Sequence, residues 1–225
     1  MKNKKWSTYT GDTAWRMFKI LSEFADGFDR MEKQGPCISI FGSARTPETN
    51  PYYNLTVKTS EKLVKEGYGI ITGGGPGIME AGNRGAKNQK GKSVGLHIVL
   101  PKEEGANEYV DYNRLFVFRY FFARKVMFIR YAQAFIYMPG GFGTLDELFE
   151  VLTLVQTKKI APAPIILMGK SYWTGLLDWI KSTMLAKEKN INADDLNLFH
   201  ITDDPDEVVK IIKAHYKKAE LKPNF

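Results

Sequence analysis

"AQAFIYMPGGFGTLDELFE", residues 132–150, is the stretch on which the fold turns. Residues 132–139 are an apolar run of strand length. Gly140, Gly141 and Gly143 then interrupt it, and a stretch of helical character with acids on it follows. A strand that breaks into glycines and resumes as a helix is the βα turn of an α/β protein. Thr144 and Glu147 also fit a capping box, in which the threonine side chain and the glutamate three residues on satisfy each other's backbone donors. Two roles for Glu147 stay open at this point, helix cap or catalytic acid.

The same alternation extends outward in both directions. Apolar runs recur at 37–44, 68–74, 93–100, 114–118, 163–169 and 197–202. They are rich in Ile, Val and Phe without clean alternation, which suits parallel strands buried on both faces. Helical segments are expected near 51–67, 77–90, 119–131, 144–158, 171–188 and 205–218. Gly67 is a good residue to end the first of these, and an acidic cap region with a proline opens the last. The expected fold is therefore α/β, a Rossmann-like doubly wound parallel sheet flanked by helices. Residues 1–35 read as an N-terminal helical extension, amphipathic over "DTAWRMFKILSEFADGFDRM", and residues 36–225 as one Rossmann-like domain.

Bulk composition narrows the partners. The chain has 225 residues with 44% hydrophobic and 25% charged, which is average for a globular protein. No apolar run reaches membrane-span length, and the N-terminus lacks the apolar core of a secretory signal. The expected location is cytoplasmic, with no membrane partner. The net charge of +7 admits acidic partners, including phosphorylated small molecules. Basic residues are interleaved with acids along most of the chain, which reads as a solvated mixed surface rather than a nucleic-acid footprint. Cys37 is the only cysteine and reads as core. His97, His200 and His215 lie far apart, so no metal-ligand spacing is visible and no metal is expected.

Ligands of open α/β sheets bind beyond the carboxyl ends of strands. Three strand ends here carry small residues: 41–45 "FGSAR", 72–86 "TGGGPGIMEAGNRGA" and 138–147 "MPGGFGTLDE". The first lacks the G-x-G-x-x-G of dinucleotide sites. The nearest match, from Gly75, has Glu80 where the third glycine should stand, and follows the second strand. Residues 86–93, "AKNQKGKS", resemble a relaxed phosphate loop but follow a helix and enter a strand, the wrong order for one. The other two turns have strand before and helix after. Glycines there let the backbone approach a ligand, and N–H groups at a helix start with the Thr144 hydroxyl could hold a phosphate. Arg124 and Lys125 sit amid aromatics at 119–128, and Arg suits a phosphate or a nearby carboxylate.

Taken together, "GGGPGIMEAGNRGA", "ARK" and "PGGFGTLDE" in this order resemble the Lonely Guy (LOG) family of cytokinin-activating phosphoribohydrolases, long mislabelled as lysine decarboxylases. The resemblance spans residues 36–215, and the N-terminal helix resembles that of a bacterial subgroup. Plant-type members read GLMG where this chain has Gly77-Ile-Met79-Glu80. The resemblance implies a Rossmann-like fold and a homodimer or assembly of dimers, without cofactor. It implies hydrolysis of the N-glycosidic bond of AMP or an N6-substituted AMP to free base and ribose 5-phosphate. Carried over residue by residue, it implies Arg124 and Glu147 as the catalytic pair. It implies Gly140, Gly141, Gly143 and Thr144 at the phosphate, and Gly74, Gly75 and Glu80 at the ribose or base. Ser43 and Lys125 stand nearby, and Thr153 lies further along the helix of Glu147. The alternative reading is a carrier of a nucleotide or molybdenum cofactor that does not cleave its ligand. The decarboxylase label requires a pyridoxal phosphate lysine, and none stands out.

Overall fold

The computed structural model describes residues 10–100 and 105–225. Seven parallel strands form one sheet: β1 (Cys37–Phe41), β2 (Gly69–Thr72), β3 (Ser93–Ile98), β4 (Leu115–Phe118), β5 (Ala132–Tyr137), β6 (Ile165–Leu167) and β7 (His200–Ile201). Their order is β4-β3-β2-β1-β5-β6-β7. Seven α-helices flank the sheet among the described residues: α1 (Thr10–Glu32), α2 (Pro51–Lys65), α3 (Ile78–Asn88), α4 (Phe121–Tyr131), α5 (Phe142–Gln156), α6 (Lys170–Trp179) and α7 (Pro205–Tyr216).

Both faces of the sheet are covered, which explains the unbroken apolar runs. Ile38 and Ile40 of β1 face Leu63 of α2, Ile78 and Ala86 of α3, and Val208 and Ile212 of α7. Cys37 and Phe41, with the opposite side-chain direction, face a second core that includes Met127 of α4, Val151 of α5 and Trp173 of α6. Burial pushes the Cys37 thiol up to about 12, so it stays a neutral core group.

The helix ends follow local chemistry. Asn50 accepts from the Tyr52 N–H ahead of α2, and Gly67 after it has a φ of +91°. Asp204 accepts from the Asp206 N–H ahead of α7, with Pro205 in the first turn. Two expected elements changed. The helix expected over 171–188 divides into α6 and a wider-wound π segment, Ile180–Lys187. The strand expected over 197–202 shrinks to β7, because Asn192 and Asp195 form a capping box that opens a short 3₁₀ turn, Ala193–Leu198.

The expected N-terminal helix is α1, while residues 1–9 lie outside the described residues. Its second half docks on the body. Gly27 lies against Met127, Arg30 donates to the Leu115 carbonyl, and Glu23 accepts from the backbone N–H groups of Arg119 and Tyr120. Trp15, Met17, Phe18 and Leu21 in its first half are exposed.

The strand order reverses direction between β1 and β5. Chains leaving these two neighbours diverge, and a crevice opens at their carboxyl ends. The loops after β1, β2 and β5 meet there.

Candidate active site

Ser43 ties the three loops together. Its N–H donates to the Pro139 carbonyl at 3.0 Å, and its own carbonyl accepts from the Ile78 N–H at 3.0 Å. Its hydroxyl accepts from the Arg45 N–H. Gly77 passes so near this loop, at a φ of +69°, that a side chain there would begin 2.5 Å from the Ser43 carbonyl oxygen. Only glycine fits both the angle and the gap.

The turn after β5 departs from the sequence expectation. Helix α5 starts at Phe142, two residues before Thr144, with Gly141 at its N-cap and no side-chain cap. The Thr144–Glu147 capping box does not form. Thr144 falls inside the first turn and is turned inward, buried against Gly140, where a side chain would begin 2.1 Å from its Oγ1. Glu147 is thereby released from the helix start. Behind the turn, the Tyr172 hydroxyl donates to the Gly140 carbonyl. Gly141 and Gly143 have open space where side chains would stand. This helix N-terminus, with α5 running back from it, has the backbone donors and dipole that favour an anion.

Glu147 points across the crevice to Arg124 of α4. Arg124 Nη2 lies 3.3 Å from Glu147 Oε1, and both side chains are largely buried. The Arg124 guanidinium also lies over the rings of Phe121 and Phe128, at 5.2 and 5.6 Å from their centroids. It adjoins the turn after β2, with Nη1 3.7 Å from where a Gly73 side chain would begin. Burial pushes the Glu147 carboxyl up to about 7; Arg124 pulls it down and Asp146 adds to the rise. A carboxyl that titrates near neutrality can exchange a proton with a reacting group.

Lys125, next to Arg124, takes the other acids. Its Nζ lies 2.9 Å from Asp146 Oδ2 and 2.9 Å from Glu150 Oε2. Burial acts to lower its pKa, but hydrogen bonds to Glu150 and Asp146 outweigh burial, and the net direction is up. In the β2 turn, Gly74 has a φ of +72°. Glu80, in the first turn of α3, accepts from the Tyr53 hydroxyl at 2.7 Å. Thr153 stands apart from this group. Its hydroxyl bonds the Phe149 carbonyl of its own helix, and it lines a separate groove with Leu152, Gln156 and Met184.

Several residues at this crevice escape sequence reading. Glu150 lies three residues after Glu147 and so shares its helix face, a spacing that could have flagged it. Tyr172 and Asn107 carry no local signal, because they come from distant segments.

These features define a class, a Rossmann-like α/β protein with paired glycine turns at its switch point. A family model described as "Possible lysine decarboxylase" matches residues 79–212, more than half of the chain. The chain belongs to that family, which is the LOG family. A cytokinin riboside 5'-monophosphate phosphoribohydrolase of Arabidopsis thaliana is 31% identical over 151 residues, 64% of this chain and 66% of that protein. A probable enzyme of the same name from Oryza sativa subsp. japonica is 30% identical over 147 residues, 64% of this chain and 58% of that protein. The matches thus span about three fifths to two thirds of those plant proteins. Among solved structures, the molybdenum cofactor binding protein from Rippkaea orientalis superposes with a TM-score of 0.58 at 21% identity, covering 80% of this chain and 96% of that one. The molybdenum cofactor carrier protein of Chlamydomonas reinhardtii superposes at 0.56 and 21% identity, covering 82% and 99%. At that identity the likeness is one of fold.

Proposed function

We propose that this protein hydrolyses the N-glycosidic bond of a purine nucleoside 5'-monophosphate, AMP or an N6-substituted AMP, giving free base and ribose 5-phosphate. The observation that carries the reading is the buried Arg124–Glu147 pair between two glycine turns, where burial pushes the Glu147 carboxyl up to about 7. The 5'-phosphate sits on the turn of Gly140, Gly141, Gly143 and Thr144, at the start of α5. Gly74, Gly75 and Glu80 border the ribose and base, with Ser43 and Lys125 at the edges.

Cleavage of a ribosyl bond passes through an oxocarbenium-like state. The Glu147 carboxylate stabilises the positive charge on the sugar and takes a proton from the attacking water. The water oxygen becomes the anomeric hydroxyl. The bonding electrons leave with the purine, which takes a proton from solvent, and Glu147 returns the proton it took from water to solvent. Arg124 stabilises the charge that develops on the leaving base; its own pKa makes it a poor acid. The anchored phosphate orients the sugar.

Decarboxylation, the activity in the family model's description, fits the site poorly. A lysine that forms a Schiff base needs a lowered pKa. The half-enclosed lysine of the crevice, Lys125, is held by two carboxylates and shifted upward. A second protomer belongs to the proposal, and the exposed Trp15, Phe18, Leu21, Phe121 and Phe122 offer apolar area for it. The proposed location is the cytoplasm; no helix among the described residues is long and apolar enough to cross a membrane.

A panel of nucleoside monophosphates, assayed for free base by chromatography and for ribose 5-phosphate, tests the reading. Release of adenine from AMP or an N6-substituted AMP is expected. Tight binding of a nucleotide or molybdenum cofactor with no release from any substrate would point to a carrier instead.

A further inference from the structure

A chain of buried polar side chains lies behind the turn after β2. Thr72, Asn83 and Ser93 are fully enclosed, in a region lined by Ile40 and Ile70. Asn83 Oδ1 accepts from Thr72 Oγ1 at 2.6 Å and from Asn107 Nδ2 at 3.0 Å. Asn83 Nδ2 donates to Ser93 Oγ at 2.9 Å and to the Val94 carbonyl at 3.3 Å. Both lone pairs and both hydrogens of this amide are used. A fully satisfied buried network is rigid, because every alternative rotamer strands a polar group.

The outer ends of the network grip the glycine turn. Thr72 Oγ1 accepts from the Gly74 N–H at 2.9 Å. The Asn107 N–H donates to the Gly74 carbonyl at 2.7 Å, and Asn107 Nδ2 to the Gly75 carbonyl at 2.9 Å. Asn107 is 32 residues from Gly75 in sequence, so this grip exists only in the folded chain. Glycines have broad conformational freedom, and the local hold on Gly74 at positive φ, through Thr72, is itself anchored by Asn83.

We propose that Asn83 and Asn107 are positioning residues, which hold the Gly73–Gly75 turn in the one shape that sets it beside the Arg124 guanidinium. Neither touches the cleft chemistry. Asn83 shapes the turn through Thr72 and Asn107, and Asn107 shapes it directly. The role rests on the hydrolase reading given above. A misplacement of about 1 Å at a reacting centre costs about 100-fold in rate. The phosphate turn after β5 is untouched by the network, so the loss should fall mainly on kcat, with only a small change in KM through the ribose and base contacts of Gly74 and Gly75.

The test compares Asn107→Asp, Asn107→Ala and Asn83→Ala with the wild-type chain. Asn107→Asp keeps the shape and the backbone N–H but removes the side-chain donor. Thr59→Val is the control, since its buried hydroxyl bonds only within and beneath α2, to the Leu55 carbonyl and the Met168 sulfur. Expected is a loss of about 10- to 100-fold in kcat on AMP for the three network variants, with KM within about threefold. Hydrogen exchange at the Gly74 amide should accelerate in the same three variants and stay slow in Thr59→Val. Unchanged kcat in both Asn107 variants, or an equal loss in Thr59→Val, would overturn the assignment. An inactive wild-type chain sinks the hydrolase reading instead. Gly74 exchange then decides the network alone: unchanged protection in Asn83→Ala and Asn107→Ala would overturn the grip on the turn.

Discussion

At the scale of single residues, Glu147 is the decisive group. Its carboxyl is pushed up to about 7 by burial although Arg124 stands beside it. For the proposed reaction the ionised form is the active one, so kcat/KM on AMP should rise with pH through about 7 and level off above it. A profile flat from pH 5 to 9 would argue against the role. Glu147→Gln keeps the size and removes the charge, and the helix start does not depend on it. Loss of about 100- to 1000-fold in kcat with an unchanged circular dichroism spectrum is expected, in line with other charge-stabilising groups. Arg124→Ala should also lose hydrolysis. It leaves Glu147 buried without its counter-charge, so a carboxyl titration followed by NMR should move further up, above about 7.

At the scale of elements, the turn from β5 into α5 does two jobs. It starts the helix three residues earlier than a capping box would have, and it folds Thr144 against Gly140. The close pack demands glycine at 140, since a side chain there would begin 2.1 Å from the threonine hydroxyl. Gly140→Ala should therefore destabilise the chain by about 1–3 kcal/mol, as overpacking does, and weaken AMP binding by displacing the turn. The double change Gly140→Ala with Thr144→Ser should not recover stability, because the hydroxyl remains. Gly140→Ala with Thr144→Ala should recover part of it. Thermal unfolding of the three variants checks this. The turn's proposed role as a phosphate loop was legible in the sequence as glycines between a strand and a helix. Its inward threonine was not, since "TLDE" satisfies the capping-box pattern equally well and only the packing behind it decides between the two.

At the scale of the whole molecule, the buried acid sets a pH dependence of stability. The folded chain holds the Glu147 proton to about 7, whereas the unfolded chain releases it near the ordinary glutamate value of 4.5. The folded state thus binds more protons between these values, and stability falls as pH rises from about 4.5 to 7. The full difference is at most about 3 kcal/mol at 1.36 kcal/mol per unit. The melting temperature of Glu147→Gln minus that of wild type should be larger at pH 8 than at pH 4.5. An offset that does not change with pH would contradict the burial of this carboxyl.

The alternation of apolar runs and helical segments was enough to give the α/β class, the parallel sheet and nearly every element, because burial on both faces leaves a pattern that each segment carries within itself. Gly67, Asn50, Pro205 and the glycines of the two turns likewise announce their places locally. The candidate site is different in kind. Arg124 and Glu147 could be named from family resemblance, but their distance of 3.3 Å and the upward shift of Glu147 arise only where α4 and α5 close over the switch point. Tyr172 behind Gly140 and Asn107 behind Gly74 come from segments 32 residues or more away, and no local pattern signals them. Local pattern therefore determined what each piece of this chain is, since propensity and burial act over a few residues. Tertiary structure alone decided what the pieces do to one another, since hydrogen bonding and desolvation depend on which distant groups share the same few ångströms.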